Sequence, residues 1–160
     1  MSLYRLAPFV PLLALALPAC AMDASSISTV PPTNAQCYGA DGTTQKFAAT
    51  EDAYLDLAGA WDSCTSTLTD IPSNVVGIDF TGRMAVFLVP GPNGTTVQGS
   101  GTAYQRSVQV RIDAQGLVII LADTDGSYAS YAAEITAAPH RIRLENTTTH
   151  EYIVLGARTR

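Results

Sequence analysis

Beyond residue 60 the chain alternates short apolar runs with turn-forming residues at a spacing of about 8–12 positions, the signature of successive β-strands. Trp61 to Leu68 is the first run. The second, Val75 to Thr81, places Val76, Ile78 and Phe80 on one face, and Met84 to Val89 is apolar on both faces. Pro90-Gly91-Pro92-Asn93-Gly94 is a loop. Thr95 to Tyr104 reads as a strand with Gly99 and Gly101 inside it, where a strand bends or bulges. Val108, Val110 and Ile112 then alternate with Gln109, Arg111 and Asp113, followed by Leu117 to Leu121 and Ser127 to Ile135. Arg141 to Glu145 and Glu151 to Leu155 form a closing hairpin. A turn centred between Thr147 and Thr148 would set Glu145 opposite His150 and His140 opposite Leu155. Eight or nine sequential strands with short loops favour an antiparallel up-and-down barrel or a sandwich. Parallel α/β is excluded, because no helices separate the strands.

One helix precedes them, over residues 51 to 58. Thr50 is its expected cap, and Glu51 and Asp52 suit the positive end of the helix dipole. Ala53, Tyr54, Leu57 and Ala58 share a face, and Gly59 is the expected left-handed closing residue.

The amino terminus reads as an address. Arg5 is followed by an apolar run from Leu6 to Leu17, interrupted by Pro8 and Pro11 and too short to span a hydrocarbon core of about 30 Å. It ends in Leu17-Pro18-Ala19-Cys20, which resembles a bacterial lipobox, with Cys20 as the lipidated residue. Under that reading, Ala21 in second position resembles the outer-membrane default. The alternative is a plain secretory signal cut at Ala19-Cys20-Ala21, leaving a soluble protein from Met22. Both readings export the protein. Residues 21 to 36 are rich in Ser, Thr, Pro and Ala, a flexible tether with a reach of about 20 Å. The domains are therefore 1–20 signal, 21–36 tether and 37–160 barrel.

Composition narrows the function. Of 160 residues 47% are hydrophobic, enough for one domain with a sizeable core. Only 14% are charged, the net charge is −5, and Lys46 is the single lysine, which excludes a basic nucleic-acid footprint. There are three cysteines. With Cys20 acylated or removed, Cys37 and Cys64 form an even pair, and in an oxidising compartment an even pair is expected to be a disulfide. Closing that loop would add roughly 3–4 kcal/mol of stability.

The segment Leu57-Ala58-Gly59-Ala60-Trp61 resembles the helix-then-Gly-x-Trp entry of the lipocalin (calycin) fold. With Cys64, Val76 to Thr81, Tyr152 and Arg158, the pattern looks like lipocalin-like bacterial lipoproteins of unassigned function. The resemblance implies that Trp61 plugs the closed end of the barrel and that Arg158 lies across its indole as a cation–π partner. It also implies a small apolar ligand inside the barrel, with Phe87, Tyr104 and Tyr128 as candidate lining residues.

Catalytic patterns are not evident. His140 and His150, about 17 Å apart along the expected sheet, are too distant to share a metal. Asp123-Thr124-Asp125-Gly126 lacks the later ligands of a calcium loop and reads as a hairpin turn. Gly99-Ser100-Gly101 has neither the helix nor the lysine of a phosphate loop. No C-x-x-C or Gly-x-Ser-x-Gly occurs. The expectation is a binding module, without enzymatic activity, cofactor or metal. It would be held to the membrane by its N-terminal lipid. The alternatives are an envelope inhibitor of a protease or other hydrolase, acting through its N-terminal tether, and a purely structural or interaction lipoprotein.

Overall fold

Period-two alternation of apolar residues over nine segments builds a sheet with one wet and one dry face, and closing that sheet hides the dry face. The computed structural model describes Cys37, residues 42–137 and residues 139–158. The expected signal peptide, Cys20 and the 21–36 tether lie outside the described residues. The strands are β1 (Gly59–Ser66), β2 (Gly77–Thr81), β3 (Met84–Pro90), β4 (Thr96–Gln98), β5 (Gln105–Asp113), β6 (Gly116–Ala122), β7 (Tyr128–Ala137), β8 (His140–Asn146) and β9 (Tyr152–Ala157). Every pairing is antiparallel, and β1 joins both β2 and β9. The result is a closed eight-stranded up-and-down barrel with β4 as a ninth, additional strand. The all-β barrel expectation holds.

Thr95 to Tyr104 does not form one strand. Because β2 covers one edge of β3, both β4 and β5 share the other edge, β4 through Leu88–Pro90 and β5 through Met84–Val86. They are a single stave interrupted by residues 99–104, which leave the sheet and return through a one-turn 3-10 helix at Thr102–Tyr104. Gly99 permits the detour: a Cβ there would lie 2.4 Å from the Tyr104 ring.

The barrel is filled from within. Trp61, Ile78, Phe80, Phe87, Ile119, Leu121, Tyr131, Ile135, Ile142, Leu144, Ile153 and Leu155 are all buried. Each such side chain contributes about 1.5–3 kcal/mol relative to exposure. Helix α1 (Thr50–Leu57) lies at the end where β1 begins, burying Ala53 and Leu57. Thr50 is its first helical residue rather than its cap. The cap position is Ala49, whose amide donates to Asp52 Oδ2 at 3.1 Å, the reciprocal half of a capping box. Ala58 is exposed, and Gly59, at φ 121°, opens β1 instead of closing the helix.

The half-buried Tyr54 ties α1 to the wall. Its hydroxyl donates to the Val108 carbonyl at 3.2 Å and accepts from the Val110 amide at 2.9 Å, capping the part of β5 that extends past β3.

The last hairpin is shifted from its expected register: Glu145 faces Tyr152 and Ile142 faces Leu155. Asn146 explains the shift. Its side-chain oxygen accepts from the amides of Thr148 and Thr149 at 2.9 and 3.1 Å, widening the turn so that its own amide reaches Glu151 O at 2.8 Å. His150 still meets Glu145, Nδ1 to Oε1 at 3.3 Å, across the turn rather than along the ladder. The expected disulfide is present, joining Cys37 to Cys64 on β1.

Candidate functional site: the barrel mouth

Up-and-down connectivity sends residues 67–76, 123–127 and 147–151 to one end, the mouth, and α1 with turns 82–83 and 114–115 to the other. The two ends differ in chemistry.

The closed end is packed. Trp61 is 2% exposed, and its Nε1 donates to the Leu57 carbonyl at 2.7 Å. The expected Arg158–indole stack is replaced by another arrangement. The ring beside Trp61 is that of His140, centroid to centroid 4.9 Å. Ala157 pairs with Trp61 and packs against the core, so alternation turns the next residue, Arg158, outward. There its guanidinium binds Asp62, with Nε 3.0 Å from Oδ2 and Nη2 also on the carboxylate. Both side chains are almost fully buried.

The mouth is partly hollow, with a cavity of about 140 Å³. Its deeper wall is Phe87, Leu121, Ala129 and Tyr131; its rim is Asp70, Ile71, Arg106, Asp123, Ser127 and Tyr128. Asp70 and Ile71 belong to the 67–76 loop, which roofs it. The volume corresponds to about five waters at ~30 Å³ each, well below that of a pocket for a drug-sized ligand.

Two polar networks hold the rim. The Tyr131 hydroxyl, on a residue 1% exposed, donates to Asp70 Oδ2, and Asn146 Nδ2 donates to the same oxygen at 3.4 Å. Burial, and then the hydrogen bond to the Asp70 carboxylate, push the Tyr131 phenol far above its ordinary range, so it remains a neutral donor. Opposite, Arg106 Nη2 pairs with Asp123 Oδ2 at 3.0 Å. The Arg106 guanidinium also lies 5.4 Å from the Phe87 ring centre. Its Nη1 donates to the carbonyls of Thr102, Ala103 and Gln105, fastening the 99–104 detour to the β6–β7 turn.

Of the residues anticipated as ligand-lining, Phe87 is fully buried in the cavity wall and Tyr128, 73% exposed, stands at the rim. Tyr104 sits apart: its ring folds over Gly99 and its hydroxyl donates to Asn74 Oδ1 at 3.2 Å. Asp70, Arg106, Asp123 and Asn146 share no sequence motif; only the meeting of four chain segments brings them together.

A larger recess of about 520 Å³ lies outside the barrel, beside the disulfide and against Glu134, Arg141 and Arg143. Among the described residues no helix is long and apolar enough to cross a membrane, and no group of three or more His, Cys, Asp or Glu is placed to hold a metal. No protein-family model, curated protein or solved structure matches the chain significantly, so the barrel architecture stands on its own geometry.

Proposed function

We propose that the protein is an exported binding module that takes a small ligand, or the small end of a larger one, at the barrel mouth beneath residues 67–76. The supporting observation is the mouth cavity itself, with an apolar floor of Phe87 and Leu121, a charged rim, and a roof fastened by Asp70 to Tyr131. A closed barrel otherwise filled with side chains leaves about 140 Å³, which favours a compact group over a long apolar chain laid down the axis. The disulfide favours an oxidising, exported location, and the lipobox-like Leu17 to Cys20 favours a lipid anchor that leaves the mouth free.

Native mass spectrometry of the exported protein, purified without detergent, is the test. A ligand appears as added mass that leaves on denaturation. Ala129→Phe, which fills the cavity, expels it, while Leu55→Ala on the exposed side of α1 leaves it bound. Equal retention of ligand by both variants places binding elsewhere and ends this reading.

A further inference from the structure

We propose that the group bound at the mouth is a small organic cation, an alkylated ammonium, with Asp70 as its counter-ion; this rests on the mouth being the binding site. The argument begins with the charges around the cavity. Asp123 is neutralised by Arg106 at 3.0 Å. Asp70 is held by two neutral donors, the Tyr131 hydroxyl and the Asn146 amide, and has no basic side chain in an ion pair with it among the described residues. Both donors come from buried residues, so the exposed Asp70 carboxylate is anchored at the rim of the cavity. A carboxylate anchored in this way, without a paired cation, is open to a charge-assisted contact with a cationic group that enters the cavity.

The walls suit that cation. Phe87, Tyr128 and Tyr131 line the cavity, and aromatic faces attract alkylated ammonium through their quadrupoles. Arg106 realises the same chemistry within the fold, a cation set between the Phe87 ring and the Asp123 carboxylate. The ligand would place a second cation against the second carboxylate. The cavity volume admits a trimethylammonium-sized head and little more, and a net charge of −5 favours cation approach.

Such a head could be a free solute or the headgroup of a lipid. Isothermal titration of the exported protein with tetramethylammonium chloride and with choline tests the common chemistry. Flotation with phosphatidylcholine vesicles separates the two sources: co-flotation blocked by choline assigns the lipid, and binding of choline alone assigns the solute. The expected result is saturable 1:1 binding that Asp70→Asn weakens by about tenfold or more, as loss of a charge-assisted contact requires. Asp56→Asn on α1, at the other end of the barrel, leaves binding unchanged. Circular dichroism and the melting temperature show that the Asp70 variant is folded, and Tyr131→Phe, which releases Asp70 while keeping its charge, gives an independent reduction. If the neutral isostere 3,3-dimethylbutanol binds as well as choline and Asp70→Asn has no effect, the ligand is not a cation and only the mouth-binding reading survives. If neither binds and Ala129→Phe leaves every native ligand mass in place, both fall.

Discussion

Arg158 and Asp62 form an ion pair on the outer face of the β9–β1 seam, with side chains only 7% and 6% exposed. The Arg158 amide also donates to the Ala60 carbonyl at 3.1 Å, so backbone and side chain together fasten the last strand to the first. This junction is where the barrel closes.

Breaking that pair from one side leaves a buried charge without a partner. Asp62→Ala or Arg158→Ala is expected to lower stability by about 3–5 kcal/mol, whereas Asp62→Leu with Arg158→Met is expected to be near neutral or stabilising. Urea unfolding of the three variants checks this. Equal losses in all three would mean that packing, not charge, holds the seam.

Tyr131 gives a pH dependence with a definite sign. Its phenol is pushed up in the folded state, by burial and then by Asp70, while in the unfolded chain it ionises near pH 10. The native state therefore binds this proton more tightly, and the resulting stability is complete below about pH 10 and declines as alkali ionises the unfolded chain. Ultraviolet titration should find a phenol that does not ionise before the barrel unfolds. Tyr131→Phe should remove that late step and flatten the alkaline fall in melting temperature.

Gly99 and Tyr104 make a packing test. Gly99→Ala places a methyl 2.4–2.7 Å from Tyr104 ring and Cβ atoms, and should cost about 1–3 kcal/mol. Adding Tyr104→Ala should make the glycine substitution nearly neutral, a coupling that a double-mutant cycle reads directly. Purely additive effects would show that the detour is not held by this contact.

Trp61 is the sole tryptophan and lies 4.9 Å from His140, so its fluorescence reports on the closed end. Replacing the imidazole packed beside the indole, as in His140→Phe, should change the emission intensity without unfolding the protein, and unchanged emission would show that this contact does not influence the indole.

Much of this architecture was legible in the residue pattern. Strands with a dry inner face announce themselves by alternation at Val76, Ile78 and Phe80 or Val108 and Val110, because a closed barrel imposes period two locally. The disulfide followed from cysteine parity. Register and pairing around turns were less legible. The Asn146 side chain displaced the final hairpin from its simplest turn, and the Gly99 detour divided one stave into β4 and β5. Arg158 had the right chemistry to cover Trp61, yet strand parity set it on the outer face, where Asp62 was waiting.

The sequence alone determined an all-β chain with a Cys37–Cys64 staple and a Trp61 entry, since composition and short-range periodicity carry that information. The tertiary structure decided where its chemistry lies. Asp70, Phe87, Arg106, Asp123, Tyr131 and Asn146 are spread over 77 positions and share no motif. Their meeting at the mouth depends on which strands become neighbours when the sheet closes, a long-range outcome that no local pattern encodes.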